Sequence, residues 1–545
     1  MNFELTYLLK GKKIKTTKND ENVEVVFVED GNKNTVTLKA LNDITVQEAS
    51  LGMGYIFKED DALFCNGYQS CTDTKEFGIH DKMNNLKQSP SLLTKMFSFK
   101  SYGDIAFYDY KKGVLHSWDV AYVRGDDNLF IGNDNFKWAG LIIEFYPDKK
   151  EINLVDDINN VVLKKGEEKV FFSFHKEHFK DLNDLEYFKQ FKPRTTNKIV
   201  GYSSWYNHFD KINESLLLSN LNAVDAHFNL FQIDDGYEAA VGDWKLTNHE
   251  KFPNGLRSVV EKIHEKNVMA GIWIAPFVAQ EGSNLLANHP DWFKLGEDSK
   301  PIKCGSNWGG FYALDFYKSE VREYIKDCLL FYKNMGFDYF KLDFLYAVSL
   351  PLYEGKNRYE VACEAYRFLR EVLGEDTLIL GNSCNMAPAF EVFDYVRIGC
   401  SITLSWDDSW VMRKTHRERN STKHSILDTL TRSIFNGKVF LNDPDVFLLR
   451  KDIELTFEQR YALAIINALF GSVLTTSDNL TQYDRLYPNY DKKATALLEQ
   501  TIDLAKRATN VKQEKKGDLI EISYMLDEKV HKLNYDPENG TLVEI

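Results

Sequence analysis

The sequence predicts a multidomain protein that joins α/β and all-β parts. A central (β/α)8 barrel spans residues 191–480, behind an N-terminal β-sandwich at 1–190 and ahead of a last barrel helix and small C-terminal β-domain at 481–545. Three observations predict this. The first part of the chain alternates apolar and polar residues in short runs. The middle alternates nearly continuous apolar runs with helical patterns. The tail returns to strict alternation.

In the first part, "VEVVFVED", "NTVTLKAL" and "GLIIEFYPD" are separated by turn clusters such as "DGNKN" and "YPDKK". Nothing there has the period of a long amphipathic helix, so the reading is an antiparallel sandwich. In the middle the apolar runs are "KIVGYSSW", "FNLFQIDDGY", "VMAGIWIAPFV", "FDYFKLDFLYA", "TLILGNSC", "DYVRIG", "KVFLNDPDVF" and "LFGSVLTTSDN". Strands buried on both faces read as unbroken apolar runs, and their alternation with helices is the pattern of a TIM barrel. Between them lie helices such as "GLRSVVEKIHEKN", with Leu256, Val259, Val260 and Ile263 on one face, and "SEVREYIKDCLLFYKNMG", closed by Gly336. After the helix "KKATALLEQTIDLAKRA", the tail "DLIEISYMLDEKVHKLNY" alternates again.

Composition narrows the function. Of 545 residues, 43% are hydrophobic and 27% charged, as in ordinary globular proteins. Aromatics reach 14%, which suits stacking surfaces for sugar faces as well as a large core. A net charge of −14 argues against nucleic acid, which basic patches bind. No apolar run is long enough for a membrane span, and the N-terminus lacks the apolar core of a secretion signal. The seven cysteines are scattered, odd in number and without a CxxC pair, which points to reduced thiols in the cytoplasm.

In a (β/α)8 barrel the active site forms where the strands end. The second run ends in Asp234 and Asp235; the third holds Trp273, with Gln280 and Glu281 beyond it. The fourth carries Lys341 and Asp343, on one side of the strand by alternation. The fifth ends in Asn382, Ser383 and Cys384, the sixth carries Arg397, and the seventh ends in Asn442, Asp443 and Asp445. Carboxylates, a lysine, an arginine and a tryptophan on one face suit a polyhydroxylated ligand. Any single strand-end aspartate could instead be a helix N-cap, and Arg397 could be a structural partner for a carboxylate. Histidine is missing from these ends, so no metal is expected, and no glycine-rich phosphate loop calls for a nucleotide cofactor. The expected partner is a small carbohydrate; a homo-oligomer stays open.

Taken together, "LFQIDDGYEAAVGDWKLTNHEKFPNGL", "GIWIAPFV", "YFKLDFLYA", "DYVRIG" and "NDPD" resemble glycoside hydrolase family 36, the melibiase-like α-galactosidases and α-N-acetylgalactosaminidases. "NGYQSC" and "GVLHSWDVAYVR" in the sandwich resemble that family too. The resemblance implies retaining hydrolysis of terminal α-galactosides by double displacement, with Asp343 as nucleophile. It implies that Lys341 bonds sugar hydroxyls, that Asp234 and Asp235 hold the O4 and O6 side, and that Trp273 packs near the ring. Cys384 and Arg397 fall near the O2 side, and Asp408 joins the substrate-binding residues at the rim.

The general acid/base of the family is the aspartate of R-I-x-x-D, and in "RIGCSI" that slot holds Ser401. A hydroxyl does not titrate near neutral pH, and losing such help removes a factor of about 10²–10⁴. Three explanations stand at this point: an acid/base-deficient variant, Asp407 or Asp408 reaching in, or divergent chemistry. The rival functions are a galactosyl transferase of raffinose-synthase type and a catalytically disabled galactoside-binding protein. Cys71 stands where the family often has tryptophan, and "GNSCNMAP" departs from its glycine-rich pattern, so galactose against N-acetylgalactosamine is not decided.

Overall fold

The computed structural model describes residues 1–83 and 101–545. The N-terminal region holds two seven-stranded antiparallel sheets. One follows the order Lys12–Thr16, Asn2–Leu9, Ile44–Gly54, Glu151–Asp157, Gly140–Tyr146, Leu115–Trp118, with Val161–Leu163 also paired to Ile44–Gly54. The other runs Val23–Asp30, Lys33–Ala40, Glu168–His178, Leu129–Asn133, Val120–Arg124, Ala62–Cys65, Lys75–Gly78. Alternation explains the burial: in Lys33–Ala40, Val36, Leu38 and Ala40 point inward and the lysines outward. The inward faces meet in a shared core that includes Leu5, Tyr7, Leu38, Leu51, Phe145 and Phe174.

The middle of the chain builds one curled parallel sheet. Ile199–Ser203 pairs on one side with Leu230–Ile233, then Met269–Ile274, Tyr339–Leu342, Leu378–Gly381, Tyr395–Arg397 and Leu441–Asp443 follow. On its other side Ile199–Ser203 pairs with Val473–Thr476, which pairs in turn with Val446–Phe447. The two ends of the sheet are therefore adjacent pieces of chain, separated by Pro444 and Asp445, whose φ is 75°. Each predicted apolar run supplies a strand, and the connecting helices bury the expected faces. In Arg257–Glu265 the buried residues are Val259, Val260 and Ile263. Ser319–Met335 stops at Gly336, whose φ of 112° only glycine adopts without strain. Arg358–Leu373 and Phe457–Phe470 each open on a capping box, Asn357 with Glu360 and Thr456 with Gln459.

Two features lie outside the repeat. After Met269–Ile274, the strands Val278–Gln280, Phe311–Ala313 and Lys303–Gly305 form a small antiparallel sheet above the curled one. At the end of the chain, Thr509–Lys516, Leu519–Leu526, Lys529–Asp536 and Thr541–Glu544 make a four-stranded antiparallel sheet. Among the described residues, no helix is long and apolar enough to cross a membrane.

The sandwich is tied to the curled sheet by buried polar groups. Arg432 is fully buried and donates to Asn66 Oδ1 at 2.9 Å and to the Ser70 and Gln69 carbonyls, all on the sandwich side. Arg417 donates to the Asp73 carbonyl and to Asp104. Tyr359, on Arg358–Leu373, donates to Asp119 Oδ2 at 2.5 Å, and Asp119 Oδ1 also accepts from Asn133 Nδ2 and Leu141 N.

Candidate active site

The strand ends open on a cavity of about 360 Å³ bordered by Asp234, Asp235, Trp273, Lys341, Asp343, Asn382, Ser383, Ser401 and Asp408, among others. That size is within the range of small-molecule sites. Asp343 follows the strand Tyr339–Leu342 and is 8% exposed. Four donors address its carboxylate: Trp273 Nε1 at 3.0 Å and Asn382 Nδ2 at 2.9 Å on Oδ2, Phe344 N at 2.7 Å and Ser383 Oγ at 2.9 Å on Oδ1. The chain reaches this arrangement through unusual backbone: Phe344 and Ser383 have φ of 52° and 49°. Non-glycine residues in that region store strain, and such strain clusters at functional sites.

Lys341, two residues earlier, points the same way and lies 2.9 Å from Asp234 Oδ2. Burial alone would lower its ammonium; the Asp234 carboxylate, with Asp343 nearby, outweighs burial and holds it above its ordinary value. Asp234 also accepts from Gln232 Nε2 at 2.7 Å. Burial, with the Asp234 charge, pushes the Asp235 carboxyl up, while Glu238 and Trp308 pull the other way. Glu238 itself is raised well above its usual range by burial and by Asp235.

Aromatic side chains form much of the remaining wall. Trp308 lies in the turn between the strands Lys303–Gly305 and Phe311–Ala313 of the small antiparallel sheet, with φ 53°, and donates from Nε1 to Asp235 Oδ2 at 3.1 Å. Its ring meets those of Trp273, Phe311 and Phe344. Trp273 is 2% exposed and is bonded to Asp343, so the ring presented to the cavity is chiefly that of Trp308. Trp205 and Tyr206 close another side.

Of the residues singled out in the sequence, Cys384 and Arg397 do not border the cavity. Cys384 is fully buried, with its backbone N–H directed to Ser70 Oγ. The thiol at the wall is Cys71 of the sandwich, 3.4 Å from Ser383 Oγ and 3.7 Å from Asn382 Oδ1. Arg397 is 4% exposed and spends its guanidinium on carboxylates, with Nε at 2.8 Å from Asp443 Oδ2 and Nη2 at 3.0 Å from Asp445 Oδ1. Asp445 Oδ2 accepts in turn from Ile402 N at 2.9 Å and from the Tyr206 hydroxyl. Arg397 therefore holds the seventh strand against the segment that carries Ser401.

Ser401 is at the cavity, beside Tyr206, and its carbonyl accepts from Ser421 N at 3.0 Å. Asp407 does not border the cavity: its Oδ1 accepts from Ser421 Oγ at 2.8 Å and it faces Arg413 and Arg419. Asp408 does border it, at the half-exposed rim. The stretch His416–Asn420 also reaches the wall through His416, Glu418, Arg419 and Asn420. Burial and Arg419 push the His416 imidazole down to about 3, so it is neutral at ordinary pH. The sandwich adds Gln69 and Tyr102. Among the described residues no cluster of three His, Cys, Asp or Glu is placed to hold a metal ion.

The melibiase family model matches residues 159–374, which carry Asp234, Asp235, Trp273, Lys341 and Asp343. That stretch is similar to the melibiase family. The bifunctional α-galactosidase/sucrose kinase AgaSK of Mediterraneibacter gnavus is 23% identical over 63% of this chain and 39% of its own length. α-Galactosidase Mel36A of Lactobacillus acidophilus is 27% identical over 45% of this chain and 32% of its own. The chain thus spans well under half the length of these relatives. Among solved structures, the α-galactosidase TtGalA of Thermus thermophilus, in complex with p-nitrophenyl α-D-galactopyranoside, superposes with a TM-score of 0.70. That match covers 93% of this chain and 98% of the other, at 23% identity, and supports a common fold. The melibiase match ends before Arg397, Ser401 and Asp408.

Proposed function

We propose that this protein is a retaining exo-glycosidase that hydrolyses terminal α-galactosides or α-N-acetylgalactosaminides. The observation that carries the reading is Asp343, fixed by four donors beside the Lys341–Asp234 pair at the floor of a cavity sized for a sugar. A carboxylate held in one orientation is what in-line attack on an anomeric carbon requires. Asp343 Oδ attacks C1, the bond to the leaving oxygen breaks, and a β-glycosyl ester forms. Water then attacks C1 from the α face and releases Asp343, so configuration is retained. Asp234 and Asp235 accept hydrogen bonds from the hydroxyls on the O4 and O6 side, and Lys341 donates there. Trp308 supplies the apolar face against the ring.

In this reading the curled sheet is a complete (β/α)8 barrel, with Leu441–Asp443 and Val446–Phe447 counted as one broken strand. The domains are a sandwich at 1–190, the barrel at 191–480 and the last helix with the C-terminal β-domain at 481–545. Seven free cysteines support a reducing, cytoplasmic setting. A fluorosugar galactosyl donor that traps the ester tests the reading, with mass spectrometry of the labelled peptide. The label is expected on Asp343, and Asp343→Ala is expected to abolish turnover of a nitrophenyl α-galactoside. Normal turnover by that variant overturns the assignment.

Ser401 favours a second reading, a site with weakened acid/base help. Ser401→Asp is expected to raise turnover of substrates with poor leaving groups if nothing else supplies the proton. No gain points to another acid already in place.

A further inference from the structure

Double displacement needs a proton for the departing oxygen, and a serine hydroxyl in position 401 cannot supply it at neutral pH. Glu418 borders the same cavity and is 9% exposed. Its Oε1 accepts from Asp104 N at 2.7 Å and Thr72 Oγ1 at 3.0 Å, both on the sandwich. Both of these donors address Oε1, and among the described residues none addresses Oε2. The segment that carries Glu418 is fixed at both sides. Arg417 anchors it to the Asp73 carbonyl, and Ser421 N is bonded to the carbonyl of Ser401 itself. The carboxyl is thus a positioned group on the wall that contains Ser401, rather than a solvated side chain on a loop.

Resting on the glycosidase reading above, we propose that Glu418 is the general acid/base of this site. The Oε2 proton passes to the glycosidic oxygen as its bond to C1 breaks and the Asp343–C1 bond forms. The resulting Glu418 carboxylate then takes a proton from the water that attacks C1, and the electron pair of the Asp343–C1 bond returns to Asp343. Glu418 ends protonated, as it began.

The surroundings suit that cycle. Burial and the neighbouring Asp104 carboxylate push the Glu418 carboxyl up to about 7, against the pull of Asp104 N, Arg417 and Thr72. Among the described residues, titratable groups around it include the Tyr102 and Tyr110 phenols, both raised by burial, the Arg417 guanidinium, which is paired with Asp104, and His416 and Arg419 of its own segment, the imidazole pushed down to about 3. An acid titrating near working pH is the efficient choice for a group that must both give and take a proton. Asp408, the other carboxylate on this side, is at the half-exposed rim, with Oδ1 occupied by Ser409 N.

The test compares wild type, Glu418→Gln, Glu418→Asp and Asp408→Asn on α-galactosides with nitrophenyl and with sugar leaving groups. For Glu418→Gln, turnover with sugar leaving groups is expected to fall by about 10²-fold or more, and with nitrophenyl by much less. The loss of wild-type kcat/KM above about pH 7 should vanish in that variant, and azide should restore turnover with α-galactosyl azide as product. Glu418→Asp is expected to recover part of the rate. Unchanged sugar turnover in Glu418→Gln with the basic limb intact overturns the proposal, as does a limb that moves with Asp408→Asn instead. Should Glu418→Gln lose galactose affinity by calorimetry, the wild-type profile decides, and absence of a basic limb near pH 7 overturns it. If Asp343→Ala is inactive while Glu418→Gln is indifferent, only the Glu418 assignment falls. If wild type turns over no activated α-galactoside, the glycosidase reading falls and takes this proposal with it.

Discussion

Asp119 offers a pH experiment whose sign and size follow from the structure. It lies at the joint of sandwich and curled sheet, 3% exposed, and accepts from Tyr359, Asn133 and Leu141. Burial pushes its carboxyl up to about 6, more strongly than those three hydrogen bonds pull it down. In the unfolded chain an aspartate titrates near 3.9. The folded state therefore holds its proton more tightly, and folding is penalised once the group must ionise. The penalty is absent below about pH 4, grows between the two values and is complete above about pH 6, where about two pKa units correspond to about 3 kcal/mol. Asp119→Asn removes the titration and little else. Its Oδ1 still accepts from Asn133 and Leu141, Tyr359 can turn to accept from the amide, and asparagine tolerates the φ of 62° at this position. Urea unfolding followed by tryptophan fluorescence, at steps from about pH 4 to pH 8, is the assay. The variant is expected to gain on wild type by about 3 kcal/mol between the ends of that range. An offset that is the same at every pH refutes the reasoning, because only a titrating group can make it vary.

Two further substitutions probe packing and substrate contact. Gly140→Ala places a Cβ 2.6 Å from Tyr359 Cε2, in the same joint, and is expected to cost about 1–3 kcal/mol, read as a lower melting temperature. Trp308→Phe keeps a ring but deletes the donor to Asp235, which is expected to raise KM for a galactoside about tenfold while Asp343 still takes the covalent label. An unchanged KM would remove Trp308 from the sugar site.

Much of this was legible in the sequence because parallel strands buried on both faces leave unbroken apolar runs, and the second, fourth and fifth runs ended in polar residues that border the cavity. Lys341 and Asp343 followed from alternation alone. The rest was hidden for physical reasons. The partners of Arg397 lie on another strand, so nothing local said whether it faced a sugar or a carboxylate. Trp308 sits in "SNWGGF", a loop-like stretch whose antiparallel pairing has no periodic signature. Cys384 and Cys71 exchange places because a turn, not a strand, sets which thiol reaches the wall. Hardest to read was "THRER", a run that looks like hydrated surface. All five residues are buried, and Arg417 and Glu418 are held by groups of the sandwich drawn from far along the chain. A single clue existed in the slot filled by Ser401, which left open an acid/base-deficient site, Asp407 or Asp408 reaching in, or divergent chemistry.

The covering sandwich makes the barrel a poor candidate for excision. Arg432 and Arg417 would keep their positive charges in a barrel cut free at residue 191, yet the carbonyls of Gln69, Ser70 and Asp73 would be gone. Cys71 and Tyr102 would leave the cavity wall with them. The two parts are in that sense one inherited unit: a recombined enzyme made by fitting this barrel with a foreign N-terminal module would have to import the arginine receptors along with it.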